Sequence, residues 1–183
     1  MVLLLGDKEV NSVLDMHECV NVMEDAFTQI GKGETWNRPR SRIRMPRGFH
    51  HLMAASALGS GSFGLKTYTS FRAGIRFLTI LYDSNTGDLQ ALIQGGRCSQ
   101  IRTGSVSAIA TKYMSRNNST RVGIIGAGYQ ARSQLEGVCA VRPINNIKVY
   151  DRSLETSQKF SSEMSSWLDQ EILIVPTAQD AVD

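Results

Sequence analysis

Residues 121 to 131, Arg-Val-Gly-Ile-Ile-Gly-Ala-Gly-Tyr-Gln-Ala, join a short apolar run to a Gly-x-Gly-x-x-Ala turn, and few chain architectures accommodate that order. Val122 to Ile125 has the length and continuous apolar character of a strand that a parallel sheet buries on both faces. Gly126 permits a tight turn, Gly128 lets the backbone approach a ligand, and the small Ala131 keeps a helix over 130–141 close to the strand. Strand, glycine turn and helix in this order open a dinucleotide-binding βαβ unit, whose helix-start amides face a diphosphate. A second strand is expected at Ile147 to Tyr150. Asp151 at its end lies near the roughly 20-residue offset of an acid that holds an adenosine ribose. Gly126, Gly128, Tyr129, Gln130, Ala131 and Asp151 are therefore the expected cofactor contacts. Asp151 favours NAD, whereas Arg152 beside it could meet the 2′-phosphate of NADP, so both cofactors stay open.

Upstream, Val2 to Leu5 reads as a strand, with Asp7 as the cap of a short helix. A longer helix is expected from about 15 to 30, with Val20, Met23, Phe27 and Ile30 as its core contacts and Gly31 and Gly33 ending it. Strand patterns follow near 40–45, 49–55 and 63–70. A hairpin then pairs Ile75–Tyr82 with Leu89–Ile93 across Asp83-Ser-Asn-Thr-Gly87. The next helix, about 99–114, is rich in Gly104, Ser105, Ser107 and Ala108, residues small enough for close helix packing. The polar, aperiodic stretch 115–120 marks a domain boundary. Beyond it the order is strand, helix, strand, helix over 154–168, and strand at 171–175. Three parallel strands are about half of a doubly wound sheet, so the chain reads as the N-terminal piece of a longer protein or as the product of a truncated gene, with an unpaired apolar edge expected on its third strand.

Composition sets the outer bounds. At 183 residues and 42% hydrophobic content the chain can pack a core, and no apolar stretch long enough to span a bilayer and no signal-peptide pattern occurs in it. Three widely spaced cysteines without a Cys-x-x-Cys pair suggest reduced thiols in the cytoplasm. His17, His50 and His51 lack metal-ligand spacing and read as structural or surface residues, so no metal site is expected. Arg38, Arg40, Arg42, Arg44 and Arg47 crowd one segment, and in a strand Arg40, Arg42 and Arg44 share a face. A solvated sheet face or an anionic small-molecule site explains the run. Nucleic acid is disfavoured, because no aromatic residues interleave there for base stacking.

Two further segments, Gly64-Leu-Lys66-Thr-Tyr-Thr-Ser70 and Gln100-Ile-Arg102-Thr-Gly-Ser-Val-Ser-Ala-Ile-Ala-Thr-Lys-Tyr113, stand with Pro39-Arg40 and the glycine turn in an order that resembles the ornithine cyclodeaminase and mu-crystallin family. The resemblance covers the whole chain. It implies an α/β fold: an N-terminal α+β substrate and dimerisation domain, residues 1–118, followed by an incomplete Rossmann-type parallel sheet, the first half of an NAD(P)-binding domain, residues 119–183. It also implies a homodimer through the first domain, a small amino acid or cyclic imine as substrate, and lyase, dehydrogenase or ketimine reductase chemistry. By resemblance Arg102 and Arg40 bind the substrate carboxylate and Lys66 moves protons, with Arg42 a possible substitute for Arg40. If Ser99 caps its helix, Arg102 falls in the first turn, where the helix dipole adds to its charge. Lys66 lies among Phe63, Leu65 and Tyr68, where partial burial would favour its neutral form. Two features depart from an active cyclodeaminase: an aspartate of the cyclising members falls beyond residue 183, and Gln94-Gly-Gly96 replaces an acid that often precedes the arginine helix. A dinucleotide-dependent ligand carrier of mu-crystallin type, or an inactive fragment, is the alternative.

Overall fold

The computed structural model describes residues 1–183, the side chain of Leu58 excepted. It divides into two compact units, Met1–Leu14 with Glu24–Ser99, and Asp15–Met23 with Gln100–Asp183.

The first unit is built on a seven-stranded sheet of β1 (Leu3–Leu5), β2 (Thr35–Asn37), β3 (Ser41–Met45), β4 (Gly48–Ala57), β5 (Ser62–Phe71), β6 (Gly74–Asp83) and β7 (Leu89–Gln94). Its order is β1-β7-β6-β5-β4-β2, antiparallel except for β1 beside β7. β3 also pairs with β4: Thr35–Asn37 lie opposite Ala57–Ala55, and Ser41–Met45 opposite Leu52–Gly48. β2 and β3 thus lie end to end along one edge. The link between them is Arg38-Pro39-Arg40, held to that edge by the Arg38 amide donating to the Ala54 carbonyl at 2.9 Å. Proline, which has no amide to pair, suits this link. Arg40 therefore stands just before β3 rather than inside a strand. The hairpin forms as the sequence indicates, with the Asp83 carboxylate accepting the amides of Asn85 and Thr86 at 2.8 and 3.0 Å.

Two helix starts differ from expectation. In α1 (Asp7–Val13) the Glu9 carboxylate, not Asp7, closes the first turn by accepting the Gly6 amide at 2.9 Å. Asp7 instead accepts the amide of Arg97 at 3.0 Å, the first residue of α3 (Arg97–Met114). Ser99 is therefore inside the helix rather than its cap, and Arg102 lies in the second turn, beyond the strongest reach of the helix dipole. α2 (Met16–Lys32) runs through Gly31. Val20 is buried on it, but Phe27 and Ile30 are 43% and 49% exposed, so the outer half of its apolar stripe is not covered within this chain.

The second unit carries β8 (Arg121–Ile125), α4 (Tyr129–Val141), β9 (Asn146–Tyr150), α5 (Leu154–Leu168), β10 (Ile172–Ile174) and the short α6 (Ala178–Val182), which the sequence pattern does not announce. The strands are parallel in the order β10-β9-β8, and Leu135, Ile147, Val149, Phe160 and Ile172 fill the core. β8 is not buried on both faces: Ile125 is 59% exposed, while Val122 and Ile124 pack on the core. In a doubly wound sheet the fourth strand joins beside the first. Among the described residues both β8 and β10 pair only with β9, so the third strand does present an unpaired edge, with Leu173 and Ile174 43% and 38% exposed; the edge at which a doubly wound sheet adds its fourth strand is the other one, that of β8.

Small residues let α3 and α4 touch along their backbones. A Cβ on Gly104 would collide with the Ser133 carbonyl, and one on Gly137 with the Gly104 carbonyl. At the other end of α3, Arg142 donates to the carbonyls of Thr111, Lys112 and Ser115 at 3.0, 2.7 and 3.3 Å, satisfying acceptors that a helix terminus leaves open.

Candidate active site

The turn between β8 and α4 is held from the next strand. Gly126 has φ +93°, a conformation in which a side chain would be strained, and its amide donates to the Tyr150 carbonyl at 2.8 Å. Asp151, directly after β9, accepts the Ala127 amide on Oδ2 at 2.8 Å and the Ser153 amide on Oδ1 at 2.9 Å. The Ser153 and Ala127 amides, with Arg152 nearby, hold its carboxyl below the ordinary range, so it is a carboxylate at neutral pH. Each oxygen keeps a lone pair for a further donor such as a ribose hydroxyl.

Gly128 is the N-cap of α4 and makes no side-chain cap hydrogen bond. A Cβ there would meet only open space. Tyr129 is 55% exposed and Gln130 is exposed, whereas Ala131 is buried against the sheet. From α3, buried Gln100 donates to the Tyr129 carbonyl at 2.6 Å, a contact with no local signature in the chain. Beside the turn opens a cleft of about 480 Å³ lined by Ala127, Gly128 and Tyr129, with Arg132 and Lys159 balanced by Glu155 and Glu163. Open backbone at a helix start and a fixed acid at the end of the second strand fit a nucleotide diphosphate joined to a ribose. Arg152 is exposed.

In the first unit, register sorts the sequence candidates by face. Residues directly opposite in an antiparallel pair share a face. Arg42 pairs with His51, His51 with Tyr68, and Tyr68 with Phe77; one step along, Met53 pairs with Lys66 and Lys66 with Thr79. Arg42, Arg44, His51, Lys66, Tyr68 and Phe77 therefore lie on one side of the sheet. Lys66 is half-buried, its Nζ 5.7 and 5.6 Å from the ring centres of Tyr68 and Phe77, and it donates to Ser99 Oγ at 3.2 Å. The Arg42 guanidinium lies 5.4 Å from the Phe49 ring. His51 is buried, stacks on Tyr68 with ring centres 4.3 Å apart, and meets Ser70 Oγ at 3.0 Å. Burial, then the charges of Arg42, Arg40 and His50, hold its imidazole below the ordinary value, so it is neutral at pH 7. Arg40 thus acts on the same imidazole as Arg42, although only Arg42 is in a strand. A cationic, aromatic-walled face of this kind can bind the carboxylate of a small amino acid and present the Lys66 amine to that molecule's nitrogen.

Arg102 is exposed on α3, whereas its neighbour Ile101 is fully buried. Burial raises the Cys139 thiol to about 11, which removes it from nucleophilic chemistry at neutral pH. None of Cys19, Cys98 and Cys139 is in a disulfide. Among the described residues no cluster of three metal-ligating side chains occurs, and no helix is long and apolar enough to cross a membrane.

The family model of ornithine cyclodeaminase and mu-crystallin matches residues 2–183. The chain belongs to this family. It is 32% identical over 167 residues to the alanine dehydrogenase of Archaeoglobus fulgidus, covering 87% of this chain and 51% of that protein. To a Delta(1)-pyrroline-2-carboxylate reductase of Bacillus cereus it is 27% identical, covering 98% of this chain and 58% of the relative. Among solved structures, the Thermococcus litoralis Delta(1)-pyrroline-2-carboxylate reductase in complex with NADH and L-proline superimposes with a TM-score of 0.93 at 33% identity, over 98% of this chain and 58% of its own. An archaeal alanine dehydrogenase dimer with bound NAD gives 0.88 at 30% identity, over 96% and 56%. The chain thus spans about half the length of the relatives it matches. The mixed α/β fold expected from the sequence is the fold of these NAD-binding enzymes.

Proposed function

We propose that this chain carries the cofactor-reading turn and much of the substrate face of an NAD-dependent enzyme acting at the Cα of a small amino acid, or on its cyclic imine. The observation that carries this is the Gly126–Gly128 turn held by the Asp151 carboxylate at the head of α4. Gly126, Gly128, Tyr129, Gln130 and Ala131 would cradle the diphosphate. Asp151 would take the adenosine ribose, its negative charge favouring NAD over NADP despite Arg152 beside it. The names of the relatives, alanine dehydrogenase and pyrroline-2-carboxylate reductase, support a redox reaction.

A bound NAD supplies the hydride acceptor or donor. The chain's own residues do the rest. Arg102 and Arg40 would bind the substrate carboxylate, with Arg42, on the Lys66 side of its own sheet, a possible substitute for Arg40. Lys66 holds a proton at, or removes one from, the substrate nitrogen, its Nζ steered by Ser99 Oγ. The Tyr68 and Phe77 ring centres lie 5.7 and 5.6 Å from that Nζ, within reach of a cation–π attraction. In this assignment residues 1–118 form the substrate and dimerisation domain and residues 119–183 the dinucleotide domain. Uncovered Phe27 and Ile30, together with the dimeric archaeal relative, support a homodimer, and three cysteines outside any disulfide support a cytoplasmic setting.

The test follows nicotinamide absorbance with alanine, ornithine and pyrroline-2-carboxylate offered in turn. Turnover of one of them, lost in Arg102→Ala and Lys66→Ala, is expected. Wild-type rates in both variants would remove the assigned roles.

A further inference from the structure

Arg132, one turn into α4, is engaged on three sides. Its Nη1 donates to the carbonyls of Ala127 and Gly128 at 3.2 and 3.0 Å. Its Nε donates to Glu163 Oε2 on α5 at 2.7 Å, and Nη2 reaches the same oxygen. The guanidinium also lies 5.5 Å from the ring centre of Phe160, which is fully buried.

Those two carbonyls belong to the peptides that link Ala127 to Gly128 and Gly128 to Tyr129. The chain has no cis peptide bond, and in a trans peptide the C=O and N–H point in opposite directions. Drawing both carbonyls toward Arg132 therefore turns the Gly128 and Tyr129 amides the other way. The preceding peptide is fixed from the opposite side, where Asp151 accepts the Ala127 amide. Glycine offers little resistance to peptide rotation, and a rotated plane would aim a carbonyl where an anion's oxygen belongs. Glu163 neutralises the guanidinium and holds its planar fork in place, so Arg132 orients the turn rather than swinging out to the ligand.

We propose that Arg132 is a positioning residue for the dinucleotide's diphosphate, fixing the peptide planes of the turn so that its amides are aimed before the ligand arrives. This rests on the dinucleotide assignment made above. Because it works by preorganisation, its loss weakens ligands in proportion to their use of those amides. Ligands carrying a diphosphate suffer, and the bare nucleoside does not.

The test measures binding of NADH, ADP-ribose and adenosine to the full chain, wild type against Arg132→Met, Arg132→Lys and Glu163→Gln, with a thermal melt of each. Arg132→Met is expected to weaken NADH and ADP-ribose about tenfold to a hundredfold and adenosine less than about twofold. Arg132→Lys, able to reach a single carbonyl, should recover part of the loss, and Glu163→Gln should cost only a few-fold. If Arg132→Met does not fold, the lysine variant carries the same comparison. Equal losses for adenosine and NADH, or wild-type NADH affinity in a folded variant, overturn the proposal. A wild type that binds none of the three ligands overturns the dinucleotide assignment itself, and this inference with it.

Discussion

The Asp151 carboxylate accepts the Ala127 amide at 2.8 Å, so the acid that ends the second parallel strand also fixes the glycine turn that follows the first. One side chain sets both the shape of the turn and the charge at its mouth. Replacing Asp151 with Ser removes that charge and should shift preference toward NADPH by about tenfold, through weaker NADH and stronger NADPH binding. Paired titrations of the two reduced cofactors check this. An unchanged ratio would show that Asp151 does not set the preference.

Lys66 is expected to serve chemistry rather than cofactor binding. Lys66→Met keeps most of the apolar stem between Tyr68 and Phe77 but removes the proton carrier. Turnover should fall by about 10²- to 10⁴-fold while NADH affinity stays within about twofold. Parallel fall of both quantities would point to a structural lysine instead.

The contact between α3 and α4 has no room for a methyl group. Gly104→Ala or Gly137→Ala would push a Cβ into backbone carbonyl, at a cost of about 1–3 kcal/mol, readable as a lower denaturant midpoint. A midpoint unchanged in both variants would mean that the helices can separate without loss.

His51 makes a pH dependence. Its folded imidazole is held below the ordinary value of 6.5, chiefly by burial, so the unfolded chain takes up a proton first as the pH falls. The neutral imidazole's contribution is complete above about pH 6.5 and is lost progressively below it. His51→Asn should flatten this part of the stability profile, as followed by urea unfolding between about pH 5 and 8. An identical slope in the variant would assign the dependence to other groups.

Much of the dinucleotide half is legible from local spacing. Strand, turn and helix at 121–141, and the acid at 151, fall within about a residue of where the apolar run and the glycines put them. The hairpin around Asp83 is equally local, because its turn residues close it through their own amides. The substrate half is less so. Period-two spacing groups Arg40, Arg42 and Arg44, but it cannot say where a strand begins, and Arg40 falls in the proline link ahead of β3. Ser99 looked like a helix cap only because the true cap, Asp7, lies 90 residues away in sequence.

The residue order alone determined that a parallel βαβ unit with a glycine turn exists, and which cations and acids are available to it, because periodicity and turn chemistry act over a few residues. The tertiary structure decided the rest. It set which face of the sheet carries Lys66 with Arg42, which acid caps α3, that β8 and β10 are the two edges of the parallel sheet, and that Arg132 and Gln100 hold carbonyls of the turn and the helix start. Each of these depends on register or on packing between distant segments, and neither has a local signature in the chain.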